Sequence, residues 1–168
     1  EKQLSDLASQ ALDYAKRLFE VIEKYSFDTE KNGYLEALTR DWKPIDDMRL
    51  SDKDENGSRT MNTHLHILEP YTNLYKVWKD KRLENSIRNL LDIFTEKLLN
   101  PETYHLDLFF NDRWEGKRNI ESYGHDIEAS WLLHESALVL DDKKVLRKIE
   151  PIIRKIAVAA DEGLRSDG

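Results

Sequence analysis

The sequence predicts an all-α fold assembled from repeated helix pairs. Five long segments place apolar residues three and four apart, the spacing of one buried helix face. These segments fall into units of helix, short turn, helix and a β-rich excursion. His64 and His125 stand 61 apart, as do Asp80 and Asp141, and a fixed period of this kind marks a stacked or circular helical array. Gly 6 and Pro 4 are few for 168 residues, which disfavours β folds dense in turns.

The first helix is expected over residues 5–25, with Leu7, Leu12, Ala15, Phe19 and Ile22 among its apolar positions and Ser5 as its N-cap. Residues 28–60 read as strands and turns, with Asn32-Gly33 as a turn signal and Pro44 enforcing extended chain before it. Helices follow over residues 61–78 and 83–99. Their short polar turn forces them antiparallel, and Pro101 closes the second. Residues 104–118 form the second excursion, turning at Asn111-Asp112-Arg113. The last pair spans residues 123–140 and 143–164, joined at Asp141-Asp142. Pro151 predicts a kink or break, and Gly163 is a candidate C-cap.

Composition narrows the function. The formal net charge is −7, with Lys+Arg 26 against Asp+Glu 33, which argues against a nucleic-acid partner. The absence of Cys excludes disulfides, thiolate metal sites and thiol nucleophiles. No apolar run is long enough to span a membrane. There is no phosphate-binding Gly-rich loop and no Gly-x-Ser-x-Gly elbow. Asn56-Gly57-Ser58 fits the glycosylation pattern, but nothing indicates secretion, and a cytoplasmic location is expected.

Two helix starts carry the chemistry, Met61-Asn62-Thr63-His64-Leu65-His66 and Ser122-Tyr123-Gly124-His125-Asp126-Ile127-Glu128. Asn62, His66, Glu69 and Asn73 form one polar stripe flanked by apolar residues, the pattern of a wet cavity wall. His64 lies about 200° round the helix from His66, so the two do not converge on a metal. His125 and Glu128, three apart, share a face, so the carboxylate can orient the imidazole. Gly124 allows close approach of a ligand or backbone. Trp42, Trp114 and Tyr123 sit on loops or helix entrances, where aromatic rings suit a sugar, whereas Trp78 and Trp131 read as core. Asp52 and Asp54 flank Lys53 in what reads as a solvated loop.

These residues resemble the cellobiose 2-epimerase family, a branch of the N-acylglucosamine 2-epimerase superfamily. The likeness rests on the two helix starts, on Tyr71-Thr72-Asn73-Leu74-Tyr75, on Ala129-Ser130-Trp131 and on Asp47-Met48-Arg49-Leu50-Ser51-Asp52-Lys53-Asp54. It covers nearly all of the chain in the same order. The resemblance implies a partial (α/α)6 barrel: five helices, with residues 61–78 and 123–140 inside, and β-hairpin excursions between helix pairs. Residues 1–168 would form a single fragment of that catalytic domain, without its N-terminal and C-terminal parts. Six units of 61 residues need roughly 366.

The resemblance also implies a reaction without cofactor or metal. The reducing-end glucose of a β-1,4-linked disaccharide is inverted at C2, through ring opening and an enediol intermediate. His125 would be one acid/base group, with Glu128 as its partner. His66 and Asn62 would hydrogen-bond substrate oxygens and stabilise the enediolate. Asp54 would assist ring opening, and Glu69, Trp114 and Tyr123 would contact the sugar. The family's opposing histidine and its substrate-binding arginine have no match here, so the chain alone is expected to be inactive. Three alternatives differ in kind: an N-acylglucosamine 2-epimerase or mannose isomerase, a non-catalytic helical-repeat binding module, and, least favoured, a glycosidase or lyase on the same barrel. A glycosidase usually needs two opposed carboxylates.

Overall fold

A computed structural model describes residues 2–52, 54–116 and 120–164. The readings that touch Lys53, Arg118 and residues 165–168 lie outside the described residues. The elements run in order α1 (Lys2–Tyr25), β1 (Arg59–Thr60), α2 (Met61–Val77), α3 (Lys81–Ile93), β2 (Phe109–Phe110), α4 (Tyr123–Val139) and α5 (Lys143–Asp161). A π-helical turn, Phe94–Leu98, continues α3. Among the described residues no helix is long and apolar enough to cross a membrane.

The helix pairs are near copies. α2 and α4 each have 17 residues and start 62 residues apart, at Met61 and Tyr123. Each follows a hydroxyl residue at the N-cap, Thr60 or Ser122. The succeeding helices are capped by carboxylates: Asp80 accepts from the Arg82 and Leu83 N–H groups, and Asp142 from that of Lys144. The period is therefore 62 rather than the 61 expected, because Asp142, not Asp141, caps α5. This register pairs His64 with Asp126 and Thr63 with His125, so the two histidines are not equivalent.

α2 and α4 lie side by side and point the same way. Asn62 and His125, near their starts, line one cleft. The Thr72 and Ser136 hydroxyls meet at 2.7 Å, and Lys76 Nζ lies 2.5 Å from Glu135 Oε1 near their ends. α2 also packs against α1 and α3, and α4 against α5. The core between these layers includes Leu65, Leu68, Leu83, Ile87, Leu133 and Ile149, all fully or almost fully buried. Burying each such side chain contributes about 1.5–3 kcal/mol. A polar hub ties three helices together: Glu23 of α1 accepts hydrogen bonds from the hydroxyls of Tyr34, Tyr71 of α2 and Ser86 of α3 at 2.7–2.9 Å.

Several expected boundaries shift. Ser5 lies inside α1 rather than capping it. Pro151 does not divide α5, and Pro70 likewise lies within α2. Both prolines are exposed, so the carbonyl each leaves without an amide partner can be hydrated.

Among the described residues the excursions hold single antiparallel bridges in place of the longer hairpins expected. The only two-residue pairing among the described residues joins one excursion to the other, with Arg59 opposite Phe110 and Thr60 opposite Phe109, antiparallel. Within the excursions there are single bridges, Phe27 with Tyr34, Leu99 with Leu106 and Phe110 with Gly116. Left-handed residues at Asn32, Trp42, Tyr104 and Trp114 interrupt any longer strand. Asn32 and Gly33 both have positive φ, as the turn signal predicts. Gly57 has a different role: a Cβ there would sit 2.9 Å from the Phe110 carbonyl oxygen, so glycine lets the two excursions touch.

Candidate active site

A cleft of about 160 Å³ opens where α2 and α4 begin. Its polar lining includes Glu36, Asp54, Asn62 and His125, and Leu50, Met61, Leu108 and Phe109 supply apolar walls. Three residues chosen from sequence, Asp54, Asn62 and His125, thus meet in one place.

Local structure explains each position. Thr60 caps α2 by accepting the Thr63 N–H at 3.0 Å, which sets Asn62 in the first turn. Glu36 accepts hydrogen bonds from the hydroxyls of both Thr60 and Thr63, and its negative charge suits the helix N-terminus. Asp54 turns its loop by accepting from the Ser51 N–H and hydroxyl at 2.9 and 3.1 Å. His125 Nδ1 lies 2.8 Å from Ser122 Oγ. The ring's hydrogen-bond partner is Ser122, one turn earlier, and not the expected Glu128, whose side chain makes no hydrogen bond among the described residues. Residues three apart on one helix face lie side by side, and the ring turns its Nδ1 back to the Ser122 hydroxyl.

Two buried polar side chains pin the excursions to the helices. His64 is fully buried; Tyr34 N–H donates to its Nε2 at 3.0 Å, so Nδ1 carries the proton that Thr60 O receives at 2.7 Å. Burial first, and then the nearby Arg59 charge, hold this imidazole down to about 4 against the pull of the Thr60 carbonyl. Asp126, at the equivalent position on α4, is also fully buried. It accepts from Leu106 N–H at 3.0 Å and binds His105 Nδ1 at 2.8 Å. In both repeats one buried side chain receives a backbone N–H from the preceding excursion.

The other chosen residues lie elsewhere. His66 is exposed and Glu69 partly so; they occupy the α2 stripe beyond Asn62 without lining the cleft. His64 and His66 face opposite ways, as their spacing predicts. Trp114 is a strut rather than a cleft wall: its indole N–H donates to the carbonyls of Lys31 and Asn32, and its ring packs on His64 and Phe110. A Cβ on Gly33 would strike that ring. Tyr123 packs edge-on against His105, beside a separate hollow at the end of α5, where Gly163 leaves room for its ring. Gly124 faces open space. Trp42 stacks on Tyr25. Trp131, read as core, is 52% exposed. The Asn56 side-chain amide is held by Met48 N–H and Asp46 O.

Sequence reasoning missed Glu36 and Ser122. Glu36 gave no signal, lying in an irregular stretch remote from both helix starts. Ser122 could have been found, since a serine three residues before a histidine at a helix start can reach its ring.

Two parallel helices flanked by three others, with a polar cleft at the starts of the parallel pair, have the layout of a repeated helix-pair array. The sequence profile of the N-acylglucosamine 2-epimerase (GlcNAc 2-epimerase) family matches residues 5–160, and the chain belongs to that family. It is 64% identical over 159 residues to the cellobiose 2-epimerase of Bacteroides fragilis, covering 95% of this chain and 41% of that protein. The Eubacterium cellulosolvens cellobiose 2-epimerase is 37% identical, over 85% of this chain and 39% of its own length. The solved cellobiose 2-epimerase from Bacillus thermoamylovorans superposes with a TM-score of 0.83 at 41% identity, covering 92% of this chain and 39% of that one. The chain thus spans about two fifths of the length of these relatives. The five helices among the described residues form part of an (α/α)6 barrel.

Proposed function

We propose that this chain carries one side of the active site of a cytoplasmic disaccharide 2-epimerase, acting on the reducing-end glucose of cellobiose or lactose. One observation carries the reading: an imidazole, an amide and two carboxylates converge in a small cleft, within a chain 64% identical to a cellobiose 2-epimerase.

The chemistry follows from those groups. In the open-chain sugar, the proton on C2 is acidified by the neighbouring carbonyl. His125 takes that proton, and the electron pair passes into an enediolate. The Asn62 amide donates to the developing oxyanion. Return of a proton to the opposite face inverts C2, which requires a second acid/base group. His64 and His105 are held inside the fold and cannot serve. Asp54 and Glu36 accept from sugar hydroxyls, and Asp54 assists ring opening. His66, Glu69 and Glu128, on the same two helices, contact the remainder of the disaccharide. Acid/base side chains suffice, without cofactor or metal.

The test is epimerisation of cellobiose and lactose by the full-length protein, followed by product chromatography. Turnover should fall at least about 100-fold in His125→Ala, with the circular dichroism spectrum unchanged. Residues 1–168 alone should be inactive. A variant that retains turnover, or full-length protein active only on N-acylglucosamine or mannose, would sink the proposal. Unchanged sugar affinity without any turnover would favour the binding-module alternative.

A further inference from the structure

Thr60 and Ser122 hold the same position, 62 residues apart, before the two inner helices. A hydroxyl residue there normally gives its side-chain oxygen to a backbone N–H of the first turn. Thr60 does so, accepting from Thr63 N–H at 3.0 Å. Ser122 does not. Its carbonyl takes the Asp126 N–H at 2.9 Å, so the backbone cap is in place. Its side chain makes no cap bond and lies 2.8 Å from His125 Nδ1. That leaves Nε2 as the ring nitrogen without a partner among the described residues, on a side chain that lines the cleft.

We infer that Ser122 is a positioning residue, which fixes the tautomer and ring orientation of His125 so that Nε2 faces the reacting carbon. The inference rests on the proposed role of His125 as an acid/base group. To act as base, Nε2 must hold the lone pair, so the resting proton is on Nδ1 and Ser122 Oγ accepts it. When the substrate C–H bond breaks, a new N–H bond forms at Nε2 and the former C–H pair stays on the sugar as enediolate. The imidazolium still donates from Nδ1 to the same oxygen. The Ser122 contact is unchanged on both sides of the proton transfer, so that shell need not reorganise. The hydroxyl achieves this without adding a charge beside the ring.

The experiment labels histidine side chains with 15N in the full-length protein. It reads the tautomer of His125 at pH 8 by long-range proton–nitrogen correlation, with His125→Gln to assign the signal. Wild type should show the Nδ1–H form. Ser122→Ala should lose it, and Ser122→Thr, which keeps the hydroxyl, should retain it. In parallel, kcat for cellobiose should fall about 10–100-fold in Ser122→Ala, with KM within about threefold, and Ser122→Thr should recover most of the rate. A wild-type Nε2–H form, or a tautomer unaltered by Ser122→Ala, overturns the inference, whatever the activity. So does a shifted tautomer with unchanged kcat. A drop in melting temperature with tautomer and kcat intact makes Ser122 a helix cap only, and also overturns it. Should wild type turn over no disaccharide, the functional reading fails, while the tautomer still decides whether Ser122 sets the ring.

Discussion

Replacing Asp126 with asparagine isolates the energetics of the second buried pin. Asp126 gives one oxygen to Leu106 N–H and the other to His105 Nδ1, at 3.0 and 2.8 Å, with its side chain sealed from solvent. Asparagine keeps one acceptor and sets an NH2 group where the other oxygen was. The loss of one charge-assisted bond should cost about 1.5–3 kcal/mol. Asp126→Ala removes both and leaves the buried Leu106 N–H and His105 Nδ1 without their partner, for about 3–5 kcal/mol. Burial alone would lower the basicity of His105, but the Asp126 bond and charge outweigh it, helped by Glu121 and Glu162, and hold the ring above the usual 6.5. A base strengthened by folding contributes stability that is complete below the unfolded value of 6.5 and disappears as pH rises through the higher folded value. The wild-type advantage over Asp126→Asn should therefore be largest near about pH 6 and shrink towards about pH 9. Urea denaturation at both pH values, with m held constant, measures it. An Asp126→Asn variant within about 0.5 kcal/mol of wild type at both pH values would refute the reasoning.

His64 has the opposite sign. Its imidazole is held neutral down to about 4, so the unfolded chain takes up a proton first as pH falls below 6.5. Stability should decline between those values by on the order of 3 kcal/mol from this group, as read by denaturation midpoints from pH 7 to pH 4. At about pH 5.5 the His64 side chain should still show the neutral Nδ1–H tautomer by nitrogen NMR. Gly57→Ala drives a methyl group to 2.9 Å from the Phe110 carbonyl. It should destabilise by about 1–3 kcal/mol, and a calorimetric melting temperature equal to wild type would remove the close approach from the account.

The helices were legible because apolar spacing and polar caps are local signals. Asn62 and His125 were legible for the same reason, as each sits in the first turn of a helix whose start the sequence marks. Counting from His64 to His125 gave a period of 61, whereas the caps Thr60 and Ser122 reveal 62. Similar residues were aligned although their neighbours do different work. The excursions resisted reading because their contacts are non-local: Trp114 reaches back to Lys31 and Asn32, and Glu36 reaches forward to Thr60 and Thr63. Periodicity does not tell which apolar faces stay open, so Trp131 reads as core although half of it is exposed.

The pairing of β1 with β2 bears on the order in which the cleft can form. It joins segments about 50 residues apart in the chain, and closing such a loop costs about 3.5 kcal/mol of chain entropy beyond a constant. The turns joining α2 to α3 and α4 to α5 close over three residues each. Helix hairpins should thus assemble first and the strand contact later. Leu108 and Phe109, which wall the cleft, arrive only with that contact. A folding intermediate with its helices in place would lack this wall, so the burial of Leu108 and Phe109 should lag helix formation in refolding kinetics.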